Sequence, residues 1–161
     1  MARKHAVLSA SSAARWIACP PLARLNAEQS DTPSEYAAQG TDAHTLCEYK
    51  LRKALGERVR DPTKNLASYD TEMEECAEAY CQFVMELVDQ LRAESKDTMV
   101  SVEQRVDFSA FVPDGFGTAD TLIISGKTVC IVDYKHGKGI EVSADCNPQM
   151  MCYALGCIQM F

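Results

Sequence analysis

Residues 117–139 read GTADTLIISGKTVCIVDYKHGKG. The stretches GTADTLIIS and KTVCIVDYK are rich in β-branched and apolar residues and meet at Gly126, the signature of two antiparallel strands joined by a tight turn. Both strands carry charge where a core strand should be apolar: Asp120 in the first, Asp133 and Lys135 at the end of the second. Burying a carboxylate or an ammonium costs several kcal/mol unless the group is paired or holds an ion. This hairpin decides both the fold and the candidate chemistry.

Side chains two apart on a strand share a face, which puts Asp133 and Lys135 about 6.5–7 Å apart along it. A turn near Ser125–Lys127 places Asp120 opposite Asp133 or one step away. Two carboxylates that close repel, and a divalent cation between them relieves the repulsion. The Tyr134 carbonyl offers a third oxygen. Lys135 beside such a cation is suited to orient or deprotonate a water and to stabilise developing negative charge. The spacing alone is equally consistent with a structural ion pair at a strand end.

Outward from the hairpin, MVSVEQRVDFS (99–109) alternates as a third strand, and PDGF (113–116) is a turn. The literal Pro-Asp pair, Pro113-Asp114, falls in that turn, so Asp120 is the stronger candidate. Downstream, Asn147 as N-cap and Pro148 at the first helical position start a helix that runs to Phe161. Upstream, Met73, Ala77, Tyr80, Val84, Leu87, Val88 and Leu91 recur at helical spacing, predicting one long amphipathic helix from about Ser68 to Ala93. A second helix is expected over GTDAHTLCEYKLRKAL with Thr41 as N-cap, after a polar loop over 26–39. A short N-terminal helix is expected to end at Pro20-Pro21. Helices, then a small sheet, then a helix indicate an α/β or α+β domain. The helical apolar pattern still running at Phe161 suggests a fragment of a longer protein. SGKT (125–128) is a turn and not a phosphate loop, since Thr121 stands where that loop needs glycine.

The 161 residues are 47% hydrophobic and 24% charged, an ordinary balance for one globular domain. No stretch approaches the roughly 20 apolar residues of a membrane span, and no secretory leader is visible, so a cytoplasmic protein is expected. Eight cysteines occur without any Cys-x-x-Cys pair, which argues for buried thiols and against disulfides or structural zinc. The net charge of −7 is uneven: residues 1–60 carry nine Lys/Arg against six Asp/Glu, and residues 61–99 carry three against ten. The total lends no support to nucleic-acid binding.

The stretch GTADTLIISGKTVCIVDYKHGKG followed by QMMCY resembles the PD-(D/E)XK nuclease superfamily, in its RecB-like exonuclease branch and closest to phage-borne members. Asp120 matches the aspartate of the branch's Gly-x-x-Asp strand, and Asp133 and Lys135 match its Asp-x-Lys strand. Gln149 and Tyr153 match its Gln-x-x-x-Tyr helix. GTDAH supplies His44 where the branch has a metal-ligating histidine, and SASSAARWIACP resembles its opening segment. The resemblance runs from about Ser9 to Leu155. It implies an α/β restriction-endonuclease-like core, a small mixed sheet flanked by helices, with residues 1–98 mostly helical and 99–161 carrying sheet and motifs, in a single nuclease domain.

The resemblance further implies a metal site of His44, Asp120, Asp133 and the Tyr134 carbonyl, with Mg²⁺ or Mn²⁺ bound. An imidazole ligand suits Mn²⁺ better than Mg²⁺. Lys135 is then the water-positioning group, and Gln149 and Tyr153 contact DNA or the lysine. Glu48, four residues after His44, is either a partner of the ligands or a solvated glutamate, and Glu103 is a possible addition to the site. An iron–sulfur cluster through Cys19 is not expected, because only Cys157 follows the Gln-x-x-x-Tyr motif. The activity implied is a DNA exonuclease of phage-type recombination, partnered by a single-strand annealing protein. A catalytically inactive DNA-binding or assembly module and a site-specific endonuclease remain open alternatives at this level. Gly137 and Gly139 give the chain room to turn beside a substrate backbone.

Overall fold

The computed structural model of the chain describes residues 6–27, 34–137 and 142–161. Gly139 and part of the expected 26–39 loop lie outside them. The helices are α1 (Ala13–Ala18), α2 (Pro20–Ala27), α3 (Glu35–Ala54), α4 (Thr71–Glu94) and α5 (Pro148–Met160), and the strands are β1 (Met99–Asp107), β2 (Phe116–Ser125) and β3 (Thr128–Val132). The strands form one antiparallel sheet in the order β1-β2-β3. The expected mixed sheet is therefore corrected among the described residues. Both strand connections, 108–115 and 126–127, are too short for the crossover that a parallel neighbour needs.

The hairpin turns where expected. Ser125 faces Thr128 and Thr121 faces Val132, with Gly126 at φ 57° in the two-residue turn. Asp114 sits in the preceding turn at φ 54°, a left-handed conformation that Asp tolerates better than most residues.

Two helix boundaries differ from expectation. α3 starts at Glu35, with the Ser34 hydroxyl accepting from the Ala37 N–H at 3.2 Å. Thr41 is not a cap but an interior residue whose Oγ1 donates to the Ala37 carbonyl at 2.9 Å. The second is an added helix: α1 stops at Ala18, ahead of Pro20-Pro21 as expected, but α2 begins at Pro20. A first helical turn tolerates prolines, whose missing N–H would be unpaired there anyway. α4 begins at Thr71 under Asp70, whose carboxylate accepts from the Met73 N–H at 2.7 Å, with Glu72 and Glu74 in the first turn.

The described chain organises into two compact units. The first holds residues 1–32, 104–119 and 141–161. There α5 lies close on the end of β1: a Cβ on Gly156 would meet the Asp107 carbonyl oxygen at 2.8 Å and the Val106 side chain. Phe108 and Tyr153 are buried in this unit, and the Arg105 guanidinium lies 3.5 Å from the centre of the Phe116 ring.

The second unit holds residues 33–103 and 120–140. Its core is built from one face of α3 (Leu46, Leu51), one face of α4 (Met73, Val84, Val88) and Ile123 of β2. Lys50 of α3 reaches Glu74 and Glu78 of α4, both at 2.7 Å. No helix among the described residues is long and apolar enough to cross a membrane.

A candidate metal centre in the second unit

Asp120 is held between two fully buried neighbours on β2, Ala119 and Thr121. The Thr121 Oγ1 lies 2.7 Å from the buried Tyr80 hydroxyl of α4, which ties the strand to the helix at the residue beside Asp120. The ladder ends at the pair Thr121–Val132, so Asp120 and Asp133 are the residues that adjoin its last pair on the two chains. The Tyr134 backbone N–H donates to Asp120 Oδ2 at 2.6 Å, and Asp120 Oδ1 lies 3.2 Å from His44 Nδ1. His44, on α3, is thus brought to the strand aspartate as the resemblance implies.

The third acid beside them is Glu103. Ligand atoms of His44, Glu103 and Asp120 lie within 4.8 Å of one another. Strand alternation places Glu103 only on the face of Arg105, but the residue has φ 52°, a left-handed conformation uncommon for a non-glycine residue in a strand. Glu48, one turn after His44 on α3, binds Arg52 Nε at 2.8 Å. Arg52 Nη2 donates to the Val102 carbonyl at 2.9 Å, pinning the chain immediately before the left-handed residue.

Asp133 is nearly buried, with its side chain 6% exposed, and it pairs with the half-exposed Lys135 ammonium. Gln149 and Tyr153 belong to the first unit. There Gln149 Nε2 donates to the Tyr153 hydroxyl at 3.3 Å, and that hydroxyl donates to the Thr118 carbonyl at 2.5 Å. Tyr153 is 2% exposed, a core aromatic with its polar end satisfied. Cys19 is exposed, and Cys157 is buried.

The titration of these groups reports crowded negative charge. Burial, then the charge of Asp120, pushes the Glu103 carboxyl up to about 7. Burial also raises Asp133, against the lowering effect of Lys135. His44 is raised, chiefly by its hydrogen bond to Asp120. Two carboxylates and an imidazole converging in this way present oxygen and nitrogen donors that could hold a metal ion. A cation there would neutralise the Glu103 carboxylate, which otherwise keeps its proton up to about pH 7.

The model of the family described as "Protein of unknown function (DUF2800)" matches residues 5–161, and the chain belongs to that family. No solved structure matches the chain.

Proposed function

We propose that this member of the DUF2800 family is a divalent-metal-dependent DNA nuclease with a PD-(D/E)XK core, acting as an exonuclease in phage-type recombination or DNA processing. The observation that carries the reading is the convergence of His44, Glu103 and Asp120 next to the Asp133–Lys135 pair. His44, Glu103 and Asp120 would hold Mn²⁺ or Mg²⁺, and Asp133 and the Tyr134 carbonyl would complete the oxygen set. A bound cation would polarise the scissile phosphodiester and acidify a water. Lys135, oriented by Asp133, places positive charge where the attacking water and the phosphoryl oxygens develop negative charge. The water oxygen forms a bond to phosphorus while the bridging P–O bond breaks. A single-strand annealing protein is the partner this scheme implies.

The test is Mn²⁺-dependent degradation of linear DNA by the wild type and by Lys135→Ala. The variant should lose about 10²–10³-fold in rate with its fold intact, as removal of one charge-stabilising group does elsewhere. Equal rates would remove Lys135 from the mechanism. Cleavage of circular DNA would identify an endonuclease. Failure of the folded wild type to bind Mn²⁺ by calorimetry would favour a non-catalytic DNA-binding module.

A further inference from the structure

Tyr134 stands between Asp133 and Lys135, just past the last residue of β3. The ring packs on the core between α3 and α4. It meets the His44 ring edge-on at 5.7 Å with an interplanar angle of 83°, and the Tyr80 ring at 5.4 Å and 64°. Its hydroxyl lies 2.9 Å from His136 Nδ1. Its backbone N–H, meanwhile, is the donor that occupies Asp120 Oδ2.

His44 and Asp120 are the two groups of the cluster in direct contact, and one residue touches both. An imidazole turns broadly about its terminal torsion unless its faces and edges are packed. An aromatic edge against it restricts that rotation, while a donor on one carboxylate oxygen leaves the other to face the imidazole. We propose that Tyr134 is the positioning residue of this centre: its ring sets the His44 imidazole and its N–H sets the Asp120 carboxylate, so both are aligned before any cation arrives. The inference rests on the metal-centre reading for its consequence, but the alignment itself belongs to the metal-free protein.

Two variants separate positioning from packing. Tyr134→Phe keeps the ring and loses the His136 contact; Tyr134→Leu keeps an apolar core side chain and loses the aromatic edge. In metal-free protein, nitrogen-15 NMR reads the His44 Nδ1–H bonded to Asp120, and calorimetry with Mn²⁺ reads affinity. The wild type and Tyr134→Phe should show the same His44 resonance and similar affinity. Tyr134→Leu, folded by its thermal transition, should lose that resonance and weaken Mn²⁺ binding about 10–100-fold, the usual effect of removing a group that orients a ligand. A Leu variant that merely melts lower, with the His44 signal and Mn²⁺ affinity of wild type, overturns the proposal. A His44 signal that depends on Tyr134 in a wild type that binds no Mn²⁺ would uphold the alignment and sink the nuclease reading instead.

Discussion

Replacing Glu103 with glutamine should make the metal-free protein more stable while removing its response to metal. Glu103 titrates at 4.5 in an unfolded chain and at about 7 in the folded one, because burial and the Asp120 charge disfavour its ionised form. Below pH 4.5 the group is protonated in both states and costs nothing. Between 4.5 and 7 the folded state binds the extra proton, so stability falls as pH rises, and above 7 the cost is complete. The interval corresponds to about 3 kcal/mol. Glu103 is only partly buried, and solvent screening reduces this to about 1–2 kcal/mol. His44 acts in the same direction: its raised value gives stability that is present below 6.5 and lost as pH climbs through the folded value.

Thermal melts of the metal-free wild type should therefore decline from pH 4.5 to 8.5. Glu103→Gln should melt about 3–6 °C higher than wild type at pH 8.5 and alongside it at pH 4. Saturating Mn²⁺, at about 100 times its dissociation constant, should restore about 2.7 kcal/mol to the wild type at pH 8.5 and little to the variant. A Gln variant less stable than wild type at pH 8.5, or one equally stabilised by Mn²⁺, would refute the account of crowded carboxylates serving a cation.

Two further predictions concern the scaffold. Thr121→Val leaves the buried Tyr80 hydroxyl without its partner and should cost about 1–3 kcal/mol in urea denaturation, most of it recovered when Tyr80→Phe is added; a silent single variant would show that this bond does not hold the strand. Gly156→Ala gains about 1 kcal/mol of helix propensity but drives a methyl into the Asp107 carbonyl and Val106, so its melting point should fall by an amount equivalent to about 1–3 kcal/mol. A stabilised Gly156→Ala would mean that α5 can move off β1 at little cost.

The hairpin and α4 were legible because their signals are local. Gly126 between two apolar runs fixes the turn, and once the turn is fixed, counting places Asp120 across from Asp133. The start of α3 was misread for an equally local reason: Gly40-Thr41 looks like a boundary, whereas Ser34 with Glu35 is the true one. A glycine inside a helix costs about 1 kcal/mol, which tertiary packing of the long apolar face can override. Glu103 could be named only as a possible addition to the site, because its placement depends on something sequence does not carry. Its approach to His44 depends on a left-handed residue that no glycine, asparagine or aspartate announces, and on Arg52 reaching from another element to the carbonyl before it. The Glu48–Arg52 pair could have been found from its spacing of four; its purpose could not.

The end of β3 at Val132 divides the candidate centre by lifetime. Asp120 sits within a strand, with fully buried residues on both sides, so releasing it requires opening the core. Asp133 and Lys135 follow the last residue of the ladder, where opening is cheaper. The His44–Asp120 part of the centre would then outlast the Asp133–Lys135 part. Hydrogen exchange would register this as slow amides through 119–123 and faster ones over 133–137. Under the proposed function, a cation on Asp120 would stay through many openings of the segment that carries Lys135, and turnover would follow the closing of that segment rather than the arrival of the ion.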